Sequence, residues 1–225
     1  IGTNNISDLV SAQVSRNEIS GMSSLVKVTE KLVERMNEEK SSLAVDFDND
    51  GEDEIIFGDY ADSVYVLSSI GEPILSDFFP YGTRNDIFTS AASADIDLDG
   101  LLDFVITSKD SSLYAFDQNG LKFSYSTDQF LIATPSIGNI DQDDELEIAF
   151  GGYSSSGDIF VINHDGTDVE GFPVQLNEKI WEGFALHDFN DNGLDDIVVA
   201  TDGEDFIGIC YDAVSYTHLT LPTKA

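Results

Sequence analysis

From Leu43 to Asp212 the chain alternates between short apolar runs and polar turns, and one succession of them occurs four times. A first run (Leu43 to Phe47, Ala91 to Ile96, Ser136 to Ile140, Phe184 to Phe189) leads into an acidic stretch. A second run, rich in Ile, Val and Phe, leaves it: Ile55-Ile56-Phe57-Gly58, Phe104-Val105-Ile106, Ile148-Ala149-Phe150-Gly151 and Ile197-Val198-Val199-Ala200. A third follows a polar turn, as Val64-Tyr65-Val66-Leu67, Leu113-Tyr114-Ala115-Phe116, Ile159-Phe160-Val161-Ile162 and Phe206-Ile207-Gly208-Ile209. Three of these then meet a turn glycine, at Gly71, Gly120 and Gly166, which is a hairpin signal. β-Branched and aromatic residues fill the runs and no amphipathic helical stretch of useful length intervenes, so this segment is predicted to be all-β.

The acidic stretches share one register. Positions 1, 3, 5 and 9 are Asp46, Asp48, Asp50 and Glu54 in the first, and Asp95, Asp97, Asp99 and Asp103 in the second. They are Asn139, Asp141, Asp143 and Glu147 in the third, and Asp188, Asn190, Asn192 and Asp196 in the fourth. Position 6 is Gly51, Gly100 or Gly193, with Asp144 in the third loop; that exchange is expected to be tolerated because Asp enters positive φ more readily than most residues. A sharp turn there lets the backbone carbonyl of position 7 (Glu52, Leu101, Glu145, Leu194) join the side chains. Such an all-oxygen cage suits a hard cation. Calcium, with 6 to 8 oxygen ligands at roughly 2.3 to 2.6 Å, is the expected occupant, up to four ions in all, whereas magnesium prefers to keep several waters in a strict octahedron. The ion would join the end of one strand to the start of the next, so its binding free energy becomes folding free energy. Affinity that tracks ligand charge makes the fourth loop the weakest.

The loops start at 46, 95, 139 and 188, spacings of 49, 44 and 49 residues, and a period in this range indicates a repeat architecture. Each repeat reads as a meander of about four short strands, the unit of a β-propeller blade. The repeats resemble the FG-GAP or VCBS-type repeats of integrin alpha subunit heads and of many secreted bacterial proteins. In those, Asp-x-Asp-x-Asp-Gly-x-x-Asp loops bind calcium between two strands of each blade. Phe57-Gly58 and Phe150-Gly151-Gly152 stand where those families place their Phe-Gly pair, and Asp165-Gly166-Thr167-Asp168-Val169-Glu170-Gly171-Phe172-Pro173-Val174 resembles the blade-to-blade passage of the bacterial members. The resemblance covers roughly residues 43 to 213. It implies an extracellular or cell-surface protein and says little about molecular function, because the repeat recurs in adhesins, enzymes and scaffolds.

The 225 residues are too few for a closed propeller at about 45 residues per blade, so the expected architecture is partial: about three full blades and a truncated fourth. Residues 1–42 read as a linker or the remnant of a preceding blade. Within them Leu25 to Val33 is read as a strand followed by an irregular connection, although Val28, Leu32, Val33 and Met36 also have helical spacing. Residues 43–213 form the blades. Residues 214–225, containing Tyr216-Thr217-His218-Leu219-Thr220-Leu221-Pro222, resemble a translated sequencing-library adapter and are set aside as a non-native tail.

Lys and Arg number 10 against 43 Asp and Glu, a formal net charge of -33. Repulsion disfavours nucleic acid and anionic membrane surfaces as partners. The loop side chains at positions 1, 3, 5 and 9 carry -13 of that charge, and four calcium ions would leave about -25 overall. Like charges crowded in each loop predict instability at low ionic strength without metal. Cys210 is the only cysteine, so no internal disulfide forms, and it reads as a small buried hydrophobe. No stretch approaches a membrane span.

Catalysis has little support. His164 and His187, the histidines outside the tail, have no Ser, Cys or second His at a recognisable spacing. His164 reads as a solvated turn residue. Phe78, Phe79, Tyr81, Phe88, Phe130, Phe172, Trp181 and Phe184 read mostly as packing between blades, with carbohydrate stacking as the alternative for Trp181 or Tyr153. Three functional readings follow. The first is a calcium-stabilised extracellular scaffold that binds a protein or glycan; the second is the propeller portion of a secreted enzyme such as a polysaccharide lyase; the third is an architectural spacer.

Overall fold

A computed structural model describes residues 42–201 together with the backbone of Phe206–Cys210 and Thr217–Thr220. The strand-or-helix alternative for Leu25 to Val33 and the burial of Cys210 lie outside the described residues. The described chain is all-β, with no helix among the described residues. The strands are β1 (Leu43–Val45), β2 (Glu54–Gly58), β3 (Ser63–Leu67), β4 (Tyr81–Gly82), β5 (Ala92–Ala94), β6 (Asp103–Ser108), β7 (Ser112–Asp117), β8 (Gly120–Ser126), β9 (Phe130–Leu131), β10 (Ser136–Gly138), β11 (Glu147–Tyr153), β12 (Asp158–Ile162), β13 (Val174–Gln175), β14 (Ile180–His187), β15 (Asp196–Thr201), β16 (Phe206–Cys210) and β17 (Thr217–Thr220).

They form four antiparallel meanders, β1-β2-β3-β4, β5-β6-β7-β8, β10-β11-β12-β13 and β14-β15-β16-β17. The short β9 adds to the third sheet by pairing with β11, extending the line of β10. The three apolar runs of every repeat fall on the first three strands of its sheet. In the fourth sheet Thr217–Thr220, from the stretch that reads as foreign, lies antiparallel to β16. An open strand edge offers backbone donors and acceptors to any extended segment.

Period-two alternation within each inner strand sends successive side chains to opposite faces, and in the second and third sheets both faces are covered by another sheet. On β6, Phe104 and Ile106 join Phe47, Ile56, Val64, Phe79 and Phe116 in a core between the first and second sheets. Val105, between them, joins Leu113, Ile148, Phe150 and Phe160 in a core between the second and third. On β11, Ala149 turns away from that core into a third one, with Ile159, Val161, Ile180, Ile197 and Val199, shared with the fourth sheet. The sheets therefore stack face to face as propeller blades.

The spacing of 49, 44 and 49 has a structural cause. In the second blade, β8 begins at the turn glycine Gly120. In the first and third, the chain after Gly71 and Gly166 touches its sheet only at the bridges Leu67 to Pro73 and Ile162 to Asp168. It then detours before the outer strand, each time through a cis Phe-Pro bond, Phe79-Pro80 and Phe172-Pro173. The detour inserts Phe79 into the core of the first two sheets and Phe172 into that of the last two.

The Phe-Gly pair is likewise a packing device. A Cβ added to Gly58 would overlap the side chain of Ile87, and one added to Gly151 would meet Ile180, both residues that lead into the next blade. Gly58 and Gly151 thus let an isoleucine side chain from the next blade seat directly on their backbone.

Candidate metal centres

The acidic loops each join the first strand of a blade to its second, so all four lie at the same end of the stack. Three share one internal wiring. The carboxylate at position 1 accepts backbone N–H groups from across the loop: Gly51 to Asp46 at 3.1 Å, Gly100 to Asp95 at 2.9 Å, Gly193 to Asp188 at 2.7 Å. Position 5 accepts from position 7, as Glu52 to Asp50, Leu101 to Asp99 and Leu194 to Asn192, each at 2.8 or 2.9 Å. Two left-handed residues close the turn, Asn49 and Gly51, Leu98 and Gly100, Asp191 and Gly193, with φ between 57° and 94°.

The third loop differs. Neither Gln142 nor Asp144 takes positive φ, so the expectation that Asp144 replaces the glycine by entering that region is corrected. The chain folds instead around Asp141, which accepts the N–H of Asp143 at 2.9 Å. The Asn139 side-chain amide turns toward the fourth loop and donates to the Gly193 carbonyl at 3.4 Å.

Position 9 has a second task in every loop. Glu54, Asp103, Glu147 and Asp196 are 2, 3, 0 and 1 % exposed, and one oxygen of each accepts the N–H of loop position 2, from Phe47, Ile96, Ile140 and Phe189 respectively. These carboxylates tie the start of the loop to the start of the second strand. Burial pushes Glu54 and Asp103 above the ordinary carboxylate range and Glu147 up to about 7.

The structure brings together the oxygens of Asp46, Asp48 and Asp50, of Asp95, Asp97 and Asp99, and of Asp141, Asp143 and Glu147, each set within 4.8 Å. In the fourth loop Asn190 donates to Asp196 at 3.3 Å, which draws positions 3 and 9 together. Several cage oxygens are buried with no hydrogen-bond donor: Asp46 Oδ1, Asp97 Oδ1, Asn139 Oδ1 and Glu147 Oε1. Buried acceptors of this kind are normally satisfied, and a cation among them would satisfy several at once. The donor set is all oxygen and anionic, which fits calcium.

Neighbouring loops are bonded to one another. The Leu146 N–H donates to the Ile96 carbonyl at 3.0 Å, and the Asp195 N–H donates to the Asn139 carbonyl at 2.7 Å. Between the first and second loops Gln118 bridges, donating to the carbonyls of Phe47 at 3.0 Å and Leu102 at 2.5 Å.

Sequence reasoning missed a set of side chains beneath the loops, although a fixed offset marks them. In the first two blades the residue two before the turn glycine reaches the loops: Ser69 donates to Glu52 at 2.7 Å and Gln118 bridges as above. In the third blade that residue is His164. His164 is not a simple solvated turn residue; it is half-buried and its Nδ1 is enclosed without a hydrogen-bond partner. Lys122 was also missed. Its Nζ lies 2.6 Å from Asp97 and 3.1 Å from Asp103, and it is the lone Lys or Arg between Lys109 and Lys179.

The opposite end of the same strands carries a different surface. Tyr60 follows β2, and Phe88, Phe130 and Trp181 stand at or before the first strand of the next three blades; they are 49, 43, 48 and 55 % exposed. Phe88, Phe130 and Trp181 thus depart from the expected role as packing wedges. Tyr60 packs on Phe88 at 4.9 Å, Tyr153 on Trp181 at 5.2 Å edge to face, and Lys109 lies over both Phe88 and Phe130.

No protein-family profile and no curated protein sequence matches the chain. Solved structures do. The chain superposes on BBS1N, solved in complex with ARL6DN, with a TM-score of 0.61 and 14% identity, over 83% of this chain and 57% of that one. It is similar to BamB from Moraxella catarrhalis (TM-score 0.50, 12% identity, 74% of this chain, 49% of that) and to the Pseudomonas aeruginosa PilY1 C-terminal domain (0.50, 17%, 71% and 38%). These likenesses establish the β-propeller fold, of which the chain spans between 38% and 57% of the matched structures' lengths.

Proposed function

We propose that the protein is a calcium-stabilised extracellular binding scaffold of FG-GAP/VCBS type. The observation that carries this reading is the set of buried, donorless oxygens within the aligned acidic loops. Calcium is structural in this reading: it offsets the mutual repulsion of the cage carboxylates and holds the loops in the spacing that the blade stack requires. Ligand sets of modest affinity fill at the calcium levels found outside cells.

The partner docks on the aromatic rim at the far end of the strands. Half-exposed rings at successive blade junctions offer flat faces to the C–H faces of a sugar chain. A net charge of -33 repels polyanions, which favours a neutral glycan. His164 and His187 have no nucleophile at bonding distance among the described residues, and the rim offers binding rather than turnover.

Thermal unfolding in millimolar calcium and in chelator tests the metal reading. The midpoint is expected to rise with calcium, and the rise to shrink in Asp48→Ala and Asp97→Ala; a folded protein indifferent to both conditions overturns it. Affinity electrophoresis in neutral polysaccharides tests the rim. Retardation should be lost in Trp181→Ala and Phe130→Ala at an unchanged midpoint, and no retardation of the parent protein would move the reading to a protein partner.

A further inference from the structure

The second loop, like the first, has acids at positions 1, 3, 5 and 9 and glycine at 6. Its charge count alone would place it among the tightest calcium sites. It is also the loop with a cation of the protein's own. Lys122 Nζ donates to Asp97 Oδ2 at 2.6 Å and to Asp103 Oδ1 and Oδ2 at 3.2 and 3.1 Å. Those are the carboxylates at positions 3 and 9. The side chains involved are largely enclosed: Lys122 is 19 % exposed, Asp97 27 % and Asp103 4 %.

The backbone delivers this lysine deliberately. On the β7-β8 ladder Leu121 pairs with Phe116 and Phe123 with Ala115, so Lys122 is the extra residue of a β-bulge. A bulge takes a residue out of the pleat and re-aims its side chain. Among the described residues, neither the first nor the third loop has an equivalent. Two residues beyond the turn glycine, where Lys122 stands, the first blade has Pro73 and the third has Asp168, which instead accepts a hydrogen bond from Tyr125.

We propose that Lys122 is a built-in competitor for the second metal site, lowering its calcium affinity below what its carboxylates dictate while holding the loop in shape without metal. The proposal rests on the reading that the loops take calcium. A divalent ion in this cage meets an ammonium already engaged with two of its ligands. Either the ammonium withdraws, losing three charge-assisted hydrogen bonds, or two cations share the carboxylates at close range and repel. Each route weakens calcium binding. Asp97 Oδ1 is left buried without a donor, so the lysine satisfies the cage only in part and the ion still has a foothold. The consequence is an ordered filling: the first loop takes calcium before the second, although both carry four acids.

The test is calorimetric titration of the full chain with calcium chloride, beside Lys122→Met, which keeps the aliphatic stem, and Lys122→Gln, which keeps a donor but no charge. One site in each variant is expected to bind calcium about tenfold or more tightly than in the parent, at unchanged stoichiometry. The chelated variants should melt lower than the chelated parent, and this gap should close or reverse in saturating calcium. Unchanged site affinities in both variants overturn the proposal while leaving the calcium reading intact. Absence of binding in the parent and both variants overturns the calcium reading itself, and the proposal with it.

Discussion

At the scale of single residues, the buried carboxylates at loop position 9 are the most exacting feature. Glu147 is fully enclosed, and burial outweighs the two N–H groups that favour its charged form, which pushes it up to about 7 against an ordinary 4.5. In chelator the folded chain holds a proton there that the unfolded chain releases. This contribution to stability is therefore complete below pH 4.5 and lost as pH rises through about 7. The loss is on the order of 3 kcal/mol. Urea unfolding in chelator between pH 4.5 and 8 should show falling stability, with a flatter dependence in Glu147→Gln; equal slopes would refute the assignment.

At the scale of elements, the meeting of one blade with the next depends on missing atoms as much as on present ones. Gly151 lies against Ile180, and a methyl group there must push the leading strand of the fourth blade away. Gly151→Ala should cost about 1 to 3 kcal/mol by overpacking. Ile180→Val should recover part of that cost, so a double-mutant cycle should show coupling between the two sites. Additive effects would mean that the blades do not seat on each other through this contact. The paired detours through Phe79 and Phe172 act in the same way with opposite sign, supplying bulk where the simpler second blade, with β8 starting at its turn glycine, does not.

At the scale of the whole molecule, a net charge of -33 on 225 residues sets the conditions under which the stack holds together. Much of the charge lies in loops aligned at one end of the blades and bonded to one another, so repulsion adds across loops as well as within them. Screening shortens from about 30 Å at 0.01 M salt to about 3 Å at 1 M. In chelator, the unfolding midpoint should therefore climb steeply as sodium chloride is added. In calcium the same titration should be nearly flat, because bound ions have already offset the cage charge. A midpoint equally responsive to salt in both conditions would place the destabilising charge elsewhere than in the loops.

The blade pattern and the four loops were legible in the sequence because each depends on local order. Strand alternation has a period of two, loop ligands recur within nine positions, and the repeat restates both. Even the position 7 residues and the turn glycines could be placed by counting. What counting does not reach is which side chains converge from other strands. The Lys122 ammonium in the second cage depends on a bulge two strands away from the loop, and the enclosure of the His164 Nδ1 depends on what folding packs around its turn. The Asp144 turn went otherwise because contacts with the fourth loop, through Asn139 and Asp195, govern how the third loop sits. Phe88, Phe130 and Trp181 read mostly as packing between blades, yet each is half-exposed, because exposure depends on neighbours that folding brings alongside. Local sequence thus determined the elements and their candidate ligands, whereas only the tertiary structure decided what surrounds each ligand, because burial and charge are properties of neighbours brought together by folding.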